Sequence, residues 1–477
     1  MGYETVIGLE VHVELNTATK IFCSCSTAFG AKPNTQICPV CAGLPGALPV
    51  LNGKVLEYAI KTGLALDCEI AEVTAFDRKN YFYPDNPQNY QISQLYRPIC
   101  TKGRMTIDTK EGQRTVGIHD IHMEEDAGKL VHDKGLSCVD LNRSGVPLLE
   151  IVTEADMRSG EEAVAFLEKL RSRIRYLGVS DCKIQEGSMR ADVNLSVRPA
   201  GSGVYGTRTE MKNLSSYTAV REAVAYESER QIKLIEAGGS VIRETRRFDE
   251  KKKESISMRG KEGAEDYRYF PDPDLRSIYI SAEHIEEIRN SLPEFAEERT
   301  ARFIRDYCLS EKEASLLCRE REMAELFERT VSLGAEAKSA ANWFMGETLR
   351  LLAVRERDAG DIRFSAENLY KLIKLIKDGV INNTVAKEVF ERMFDEDTDP
   401  EAYVEQKGLR QSSDEDEIRK LCLKAVNENP EAVEDYFGGK DRALGFLVGC
   451  VMKAGKGKVE PKTVRAVFGQ LLEDMKE

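Results

Sequence analysis

Near Pro293 the hydrophobic pattern of this 477-residue chain changes period, and that change limits its fold more than any single motif. Before it, short stretches alternate polar and apolar residues, as in Val6 to Leu15, Ala191 to Val197 and Thr207 to Leu214. A two-residue period puts one side of a strand against a core and the other side elsewhere. Gly, Pro and Asn punctuate this region, as at Asp85-Asn86-Pro87 and Ser144-Gly145-Val146-Pro147, which marks turns. A helix is expected over Gly160 to Leu177, where Val164, Phe166, Leu167, Leu170, Ile174 and Leu177 recur at near-helical spacing. After Pro293 the pattern is helical: Phe303–Tyr307, Met323–Val331, Ala340–Val354 and Leu369–Ile376 show i, i+3, i+4 apolar spacing. The polar Asp397-Thr398-Asp399-Pro400, or its neighbourhood, reads as a linker. A last helical unit follows from about Gln406. At roughly 100–200 residues per domain, two to four domains are expected.

Composition excludes several classes. With 42% hydrophobic and 31% charged residues, the chain reads as an ordinary globular protein. No apolar run reaches the ~18 residues of a membrane span, and Ala443 to Met452 fits a buried helix instead. The first residues lack a charged n-region and an apolar h-region, and Val6 stands where a myristoylation signal has Ser or Thr. A cytoplasmic enzyme with no membrane partner is expected. A net charge of −13 argues against a protein that coats nucleic acid, but a local basic surface remains open. Residues Lys440 to Arg465 carry seven Lys/Arg against two Asp/Glu.

Twelve cysteines are too sparse for a disulfide scaffold. Four of them form Cys23-Ser-Cys25, twelve residues, then Cys38-Pro-Val-Cys41. Two close pairs joined by a short loop suit four thiolates around Zn²⁺, and a four-thiolate site is structural because no position stays open. Four buried free thiols are the other reading.

Carboxylates form the second signal. Glu10, His12 and Glu14 alternate with Val11 and Val13, which sends the three to one face. His119-Asp120-Ile121-His122-Met123-Glu124-Glu125-Asp126 is dense in potential ligands. Asp192 and Asn194 share a face, as do Arg208, Glu210 and Lys212. Such faces suit Mg²⁺ with polyphosphate, and equally a solvated face or a cross-strand salt-bridge ladder. Two aromatic and charged runs, Arg78 to Asp85 and Asp266 to Pro271, offer rings to a base or an RNA end, or pack under a loop. No Walker A loop, kinase-type Gly-rich loop or Gly-x-Ser-x-Gly elbow is present.

Several motifs together resemble one family. They are Gly8 to Leu15, Arg78 to Asp85, Tyr90-Gln91-Ile92-Ser93-Gln94, Glu124 to Lys129, Asn142 to Val152, and Glu186-Gly187-Ser188-Met189-Arg190. Gly206 to Leu214, Asp266 to Pro271, Ala341 to Glu347 and Gly445 to Gly449 continue the series in one order along nearly the whole chain. The chain is similar to the GatB/GatE family, the B-type subunits of aspartyl/glutamyl-tRNA(Asn/Gln) amidotransferases.

That resemblance implies an α+β fold. It has a glutamine-synthetase-like cradle domain with an antiparallel sheet over residues 1–292, with the zinc knuckle at 23–41. An all-α helical domain (293–405) and a small all-α, YqeY-like, tRNA-binding tail domain (406–477) follow. It implies ATP- and Mg²⁺-dependent phosphorylation of the side-chain carboxylate of mischarged Glu-tRNA(Gln) or Asp-tRNA(Asn). Ammonia channelled from an amidase-type A subunit then completes the amide, in a heterotrimer with a small C subunit. Glu10, His12, Glu125, Glu150, Asp192 and Glu210 are the expected catalytic residues, and all but Glu150 are expected on magnesium. Lys79 and Arg190 are expected on phosphate, Cys23, Cys25, Cys38 and Cys41 on zinc, and Lys453, Lys456 and Lys458 on the tRNA backbone. A solvated helix face is the other reading of those three lysines.

Departures from the family pattern are small. Ala191 stands where many relatives have Cys, and Gln88 where Lys is usual; neither is expected to touch a residue with a role. An archaeal-type GatE subunit carries an extra domain in the middle, which this chain lacks. A non-catalytic tRNA-binding scaffold would have lost carboxylates at 10, 125, 192 and 210, and all four are present.

Overall fold

The structure is a computed structural model that describes residues 2–133, 135–184, 186–260, 267–411, 415–438, 440–455, 459 and 461–475. It divides into two compact units, Met1–Phe295 and Ala296–Glu477. The class is α+β, with the strands in the first unit and a helical second unit.

The first unit is built on one large sheet. Its strands are β1 (Tyr3–Glu14), β2 (Glu69–Ile70), β3 (Cys100–Thr109), β4 (Gly112–Glu125), β5 (Pro147–Thr153), β6 (Met189–Pro199), β7 (Thr209–Lys212), β8 (Glu244–Asp249) and β9 (Glu254–Gly260). Their spatial order is β9-β8-β7-β6-β1-β5-β4-β3-β2. Neighbours run antiparallel except β7 and β8, which are parallel. The expected antiparallel sheet forms, and its parallel pair has a topological reason. Parallel neighbours need a crossover connection, and the helix Tyr217–Glu236 lies between those two strands in the chain.

Alternation makes the sheet two-faced. Leu9, Val11 and Val13 of β1, Ile121 and Met123 of β4, Leu149 and Ile151 of β5, Val193 of β6 and Met211 of β7 are each at most 1% exposed. Three helices, α1 (Gly53–Ala65), α2 (Gly160–Leu177) and α3 (Tyr217–Glu236), pack on the strands. Burying an aliphatic side chain fully is worth about 1.5–3 kcal/mol. A one-residue slip of β1 would expose all of its core residues, so the apolar face fixes the register. The helix expected over Gly160 to Leu177 forms with those bounds. Ser159 accepts the Glu162 N–H at its start, and Gly178 ends it at φ 70°.

A smaller sheet joins Asp77–Asn80 to Tyr90–Ser93 and to Phe270–Pro271. It carries both aromatic runs singled out in the sequence.

The second unit holds two separate apolar clusters. One runs from Phe303 to Val404 and the other from Ile418 to Leu472. Asp397 to Pro400 is not a linker between them. Asp397 closes the helix Asn383–Glu396 at φ 48°, and its carboxylate accepts hydrogen bonds from Ser365 and Asn368. Asp399 then caps Pro400–Gln406, whose Val404 belongs to the first cluster. The stretch Ala340 to Val354 is helical but contains a π-turn at Phe344–Thr348. Ala443 to Met452 lies in the helix Asp441–Ala454 but is buried on one face only: Leu447, Val448 and Val451 are inside and Phe446 is exposed. No described helix is long and apolar enough to cross a membrane.

Candidate active site

The face of the sheet opposite the apolar one collects ionisable groups, because strand register places them in rows. His122 of β4, Glu150 of β5, His12 of β1 and Arg190 of β6 are successive cross-strand partners. Glu10 faces Asp192 in the next row, and Asn194 faces Glu210. Paired residues on antiparallel strands share a face. The five strands therefore bring together side chains that lie far apart in sequence.

Two groups on this face have the donors of a cation site. His12, Glu124 and Glu150 offer ligand atoms within 4.8 Å of one another, and so do Glu10, Asp192 and Glu210. In the first, His12 Nε2 lies 3.2 Å from Glu124 and 3.5 Å from Glu150. Burial opposes charge on His12, yet Glu150 and Glu124 hold its imidazole well above the ordinary histidine range. Glu150 is driven well below the ordinary carboxylate range by His12 and His122, against the effect of burial. A cation bound there would replace the His12 proton. In the second group the Lys212 ammonium bridges Asp192 and Glu210, 3.0 Å from the latter. Thr245 donates to Glu210 at 2.8 Å. Asn194 donates to Glu10 at 2.9 Å, while its own carbonyl oxygen is buried without a partner among the described residues. An all-oxygen set with an orphan acceptor beside it suits a hard divalent ion. Burial and Glu150 push the Glu10 carboxyl up, as expected where like charges crowd without a cation.

Cations flank these groups. Lys79 projects from the smaller sheet, with its ammonium 5.1 Å from the Tyr267 ring centre. Burial alone would lower it, but Glu124 and Glu150 raise it above the ordinary lysine range. Arg190 pairs with Asp126 at 2.8 Å, and its Nε is buried with no partner among the described residues. A cavity of about 870 Å³ opens over Glu10, His12, Glu150, Asp192 and Glu210, rimmed by Lys79, Tyr81 to Tyr83, Tyr267 and Arg268. A second, of about 510 Å³, shares His12, Lys79 and Lys212 with it and reaches Arg190. Both aromatic runs therefore edge the site, although Asp266 lies outside the described residues.

Glu125 is the one expected magnesium residue that the sheet turns away. It pairs with Pro147 and has the phase of Met123, so it points from the opposite face to Glu124. It is buried, accepts from the Ile92 N–H at 3.0 Å and from Gln88 Nε2 at 2.5 Å, and burial pushes its carboxyl up to about 8. Gln88 therefore does touch a residue that the sequence singles out. The same segment explains why sequence pattern does not pick out Glu124. β4 carries a bulge where Thr153 faces Ile118 and Val152 faces Asp120. The inward phase changes there, from Val116 and Ile118 to Ile121 and Met123. Lys212 and His122 stand beside candidate ligands in the sequence, but nothing in their spacing gives them a role.

The four knuckle cysteines meet in space. Cys41 Sγ lies 4.0 Å from both Cys25 Sγ and Cys38 Sγ, and all four sulphurs fall within 4.8 Å of one another. Zn–S bonds of about 2.3 Å in a tetrahedron separate sulphurs by about 3.8 Å, so the quartet fits zinc. The Cys41 thiol is lowered, first by the hydrogen bond from Cys23 and also by Lys20, while Cys23 is raised. Of the eight others, Cys100, Cys182, Cys318 and Cys422 are buried, while Cys138 and Cys308 are exposed. In the helical unit, Lys453 is exposed near the end of its helix, whereas Lys456 and Lys458 lie outside the described residues.

Residues 5–286 match the GatB/GatE catalytic domain, and residues 325–472 match the GatB domain. A protein of Agathobacter rectalis, named as the B subunit of an aspartyl/glutamyl-tRNA(Asn/Gln) amidotransferase, is 56% identical over 473 residues, covering 99% of this chain and 100% of that relative. Proteins of the same name from Lachnospira eligens and Caldicellulosiruptor saccharolyticus are 55% and 52% identical, with 98% and 99% of this chain covered and 99% and 100% of theirs.

Proposed function

Because this chain belongs to the GatB/GatE family, we propose that it activates the side-chain carboxylate of glutamate on tRNA(Gln), or of aspartate on tRNA(Asn), for amidation. The observation that carries the reading is the ionic face of the sheet. Two cation-competent groups, with Lys79, Lys212 and Arg190, line two cavities of about 870 and 510 Å³ that share His12, Lys79 and Lys212. A carboxylate does not react with ammonia directly, because oxide would have to leave. The side-chain oxygen attacks the γ-phosphorus of ATP, ADP departs, and ammonia then displaces phosphate from the acyl phosphate. Little covalent work falls to the protein in such a transfer, which depends on placement and charge neutralisation.

Each residue takes a share of that placement. Glu10, Asp192 and Glu210 would hold one Mg²⁺, and His12, Glu124 and Glu150 a second. Magnesium held by these residues would supply positive charge against the phosphate oxygens. Lys79 and Arg190 donate to phosphate oxygens. Lys212 supports the cluster as a counter-ion to Asp192 and Glu210. Tyr81, Tyr83 and Tyr267 give flat surfaces to a base at the rim. Cys23, Cys25, Cys38 and Cys41 would hold a structural zinc. Residues 1–292 serve as the kinase cradle, 293–405 as the helical domain and 406–477 as the tRNA-binding tail, through Lys453, Lys456 and Lys458. The relatives are named as B subunits, which supports work in a complex. An amidase-type A subunit and a small C subunit are the partners proposed, in the cytoplasm.

The test follows one oxygen atom. Glutamate or aspartate labelled with ¹⁸O in its side-chain carboxylate is charged onto tRNA and amidated by the assembled enzyme. One ¹⁸O should appear in inorganic phosphate for each amide formed. Phosphate that carries no label overturns the reading.

A further inference from the structure

Beside the His12 group lies a half-buried hydrogen-bonded chain that the proposed reaction does not use. His122 Nδ1 is 2.7 Å from Asp120 Oδ1, and its Nε2 is 3.0 Å from Glu150 Oε2. Both ring nitrogens therefore face carboxylate oxygens. The ring sits half-buried between them, with 12% of the side chain exposed. Asp120 is held in turn by His119, whose Nδ1 lies 2.7 Å from its other oxygen.

The geometry at Glu150 is one-sided. His122 and His12 both approach Oε2, and Oε1 has no hydrogen bond or ion pair among the described residues. A carboxylate whose one oxygen is fixed by a donor presents the other in a defined direction. Neither His122 nor Asp120 is among the clustered cation ligands. We propose that His122, clamped by Asp120, is a positioning residue that fixes the direction in which Glu150 offers its free oxygen to a divalent cation. The proposal rests on the reading that His12, Glu124 and Glu150 form a cation site. Partners of this kind behind a metal ligand are worth about 10–100-fold in metal affinity.

Two substitutions separate the two sides of the ring. In His122→Asn the amide nitrogen takes the place of Nδ1, so the hydrogen bond to Asp120 stays and the one to Glu150 goes. In His122→Gln the amide nitrogen takes the place of Nε2 and keeps the donor to Glu150. Mn²⁺ is the probe, added to the complex of the chain with its partner subunits. Affinity is read by calorimetry and the site by the histidine-nitrogen coupling in the electron paramagnetic resonance signal, because only this group contains a histidine. His122→Asn should weaken Mn²⁺ at the nitrogen-coupled site about 10-fold or more, and His122→Gln should recover most of it, with equal thermal midpoints. Equal Mn²⁺ affinity in wild type and His122→Asn overturns the proposal, as does equal loss in both variants. If His122→Asn does not fold, Asp120→Asn decides: it should also weaken the nitrogen-coupled site, and unchanged affinity overturns the proposal. Glu150→Gln separates this outcome from failure of the underlying reading. If that variant binds Mn²⁺ like wild type, with the nitrogen coupling intact, the cation site itself is misplaced.

Discussion

Lys20 has no exposed surface, yet its ammonium lies within the protein, 3.4 Å from Cys41 Sγ and 3.2 Å from the Leu141 carbonyl. A buried charge needs a partner, and a zinc tetrathiolate carries a net charge of about −2. Lys20 therefore balances the knuckle from inside. Lys20→Met should keep the volume and lose the charge, so zinc should be released to a chelator about 10-fold faster. A chromophoric chelator assay reads this directly, and an unchanged rate contradicts it. At the same scale, Glu124 and Glu125 show where sequence stops being sufficient. Adjacent carboxylates on a strand take opposite faces, and the bulge in β4 decides which is which. Counting from Val116 gives the wrong phase at Met123. Glu10, His12, Asp192 and Glu210 are readable because β1, β6 and β7 alternate without interruption near them, whereas Glu150 is reached only through the family resemblance. Hence Glu124→Gln should lower amidation activity at least 10-fold, in line with loss of a metal ligand, and Glu125→Gln should leave the Mn²⁺ sites intact. Comparing Mn²⁺ binding in the two variants checks this.

Among the elements, β7 is the shortest strand of the large sheet that bears site residues, and it is held from behind. Glu227 of α3 is fully buried and accepts from Thr209 on β7, Gln231 and Arg230 on α3, and Ser255 on β9. One carboxylate thus ties three elements together beneath Glu210 and Lys212. Burial would raise it, but Arg230 and Gln231 bring it below the ordinary carboxylate range. A depressed folded pKa contributes stability that is present above the unfolded value near 4.5 and is lost as the pH falls through the folded one. Glu227→Gln should cost about 3 kcal/mol at pH 7, since it removes the buried charge that both Arg230 and Arg246 face. The gap from wild type should narrow steadily below pH 4.5. Urea unfolding of both proteins across pH 3 to 7 measures it, and a gap independent of pH contradicts the assignment. The elements are readable where one period runs long, as in α2 between Ser159 and Gly178. They are less so where tertiary packing intervenes. The parallel pairing of β7 with β8 leaves no trace in local pattern, and Asp397 to Pro400 has the composition of a linker but serves as a turn inside one core.

At the scale of the whole molecule, the two units divide by chemistry. The sheet unit gathers carboxylates and cations on one face, and the helical unit holds two apolar clusters with exposed charges around them. An overall charge of −13 repels a polyanion, so tRNA must meet local basic surface. Removing one cation from a phosphate lowers the salt dependence of binding by somewhat less than one unit of slope. Replacing Lys453, Lys456 and Lys458 together with Gln should reduce the slope of log affinity against log salt by roughly 2 while the Mn²⁺ sites stay intact. An unchanged slope would assign those lysines to a solvated surface.

The central claim is that the ionic face of the large sheet activates the charged tRNA. The most direct measurement is ADP release by the chain assembled with its partner subunits, with Mg²⁺ and with glutamate-charged, aspartate-charged or uncharged tRNA, beside Glu150→Gln and Glu210→Gln. ADP formation should require the amino acid on the tRNA and fall at least 100-fold, about 2.7 kcal/mol of transition-state stabilisation, in both variants. ADP formed equally well with uncharged tRNA, or a full rate in either variant, would contradict it.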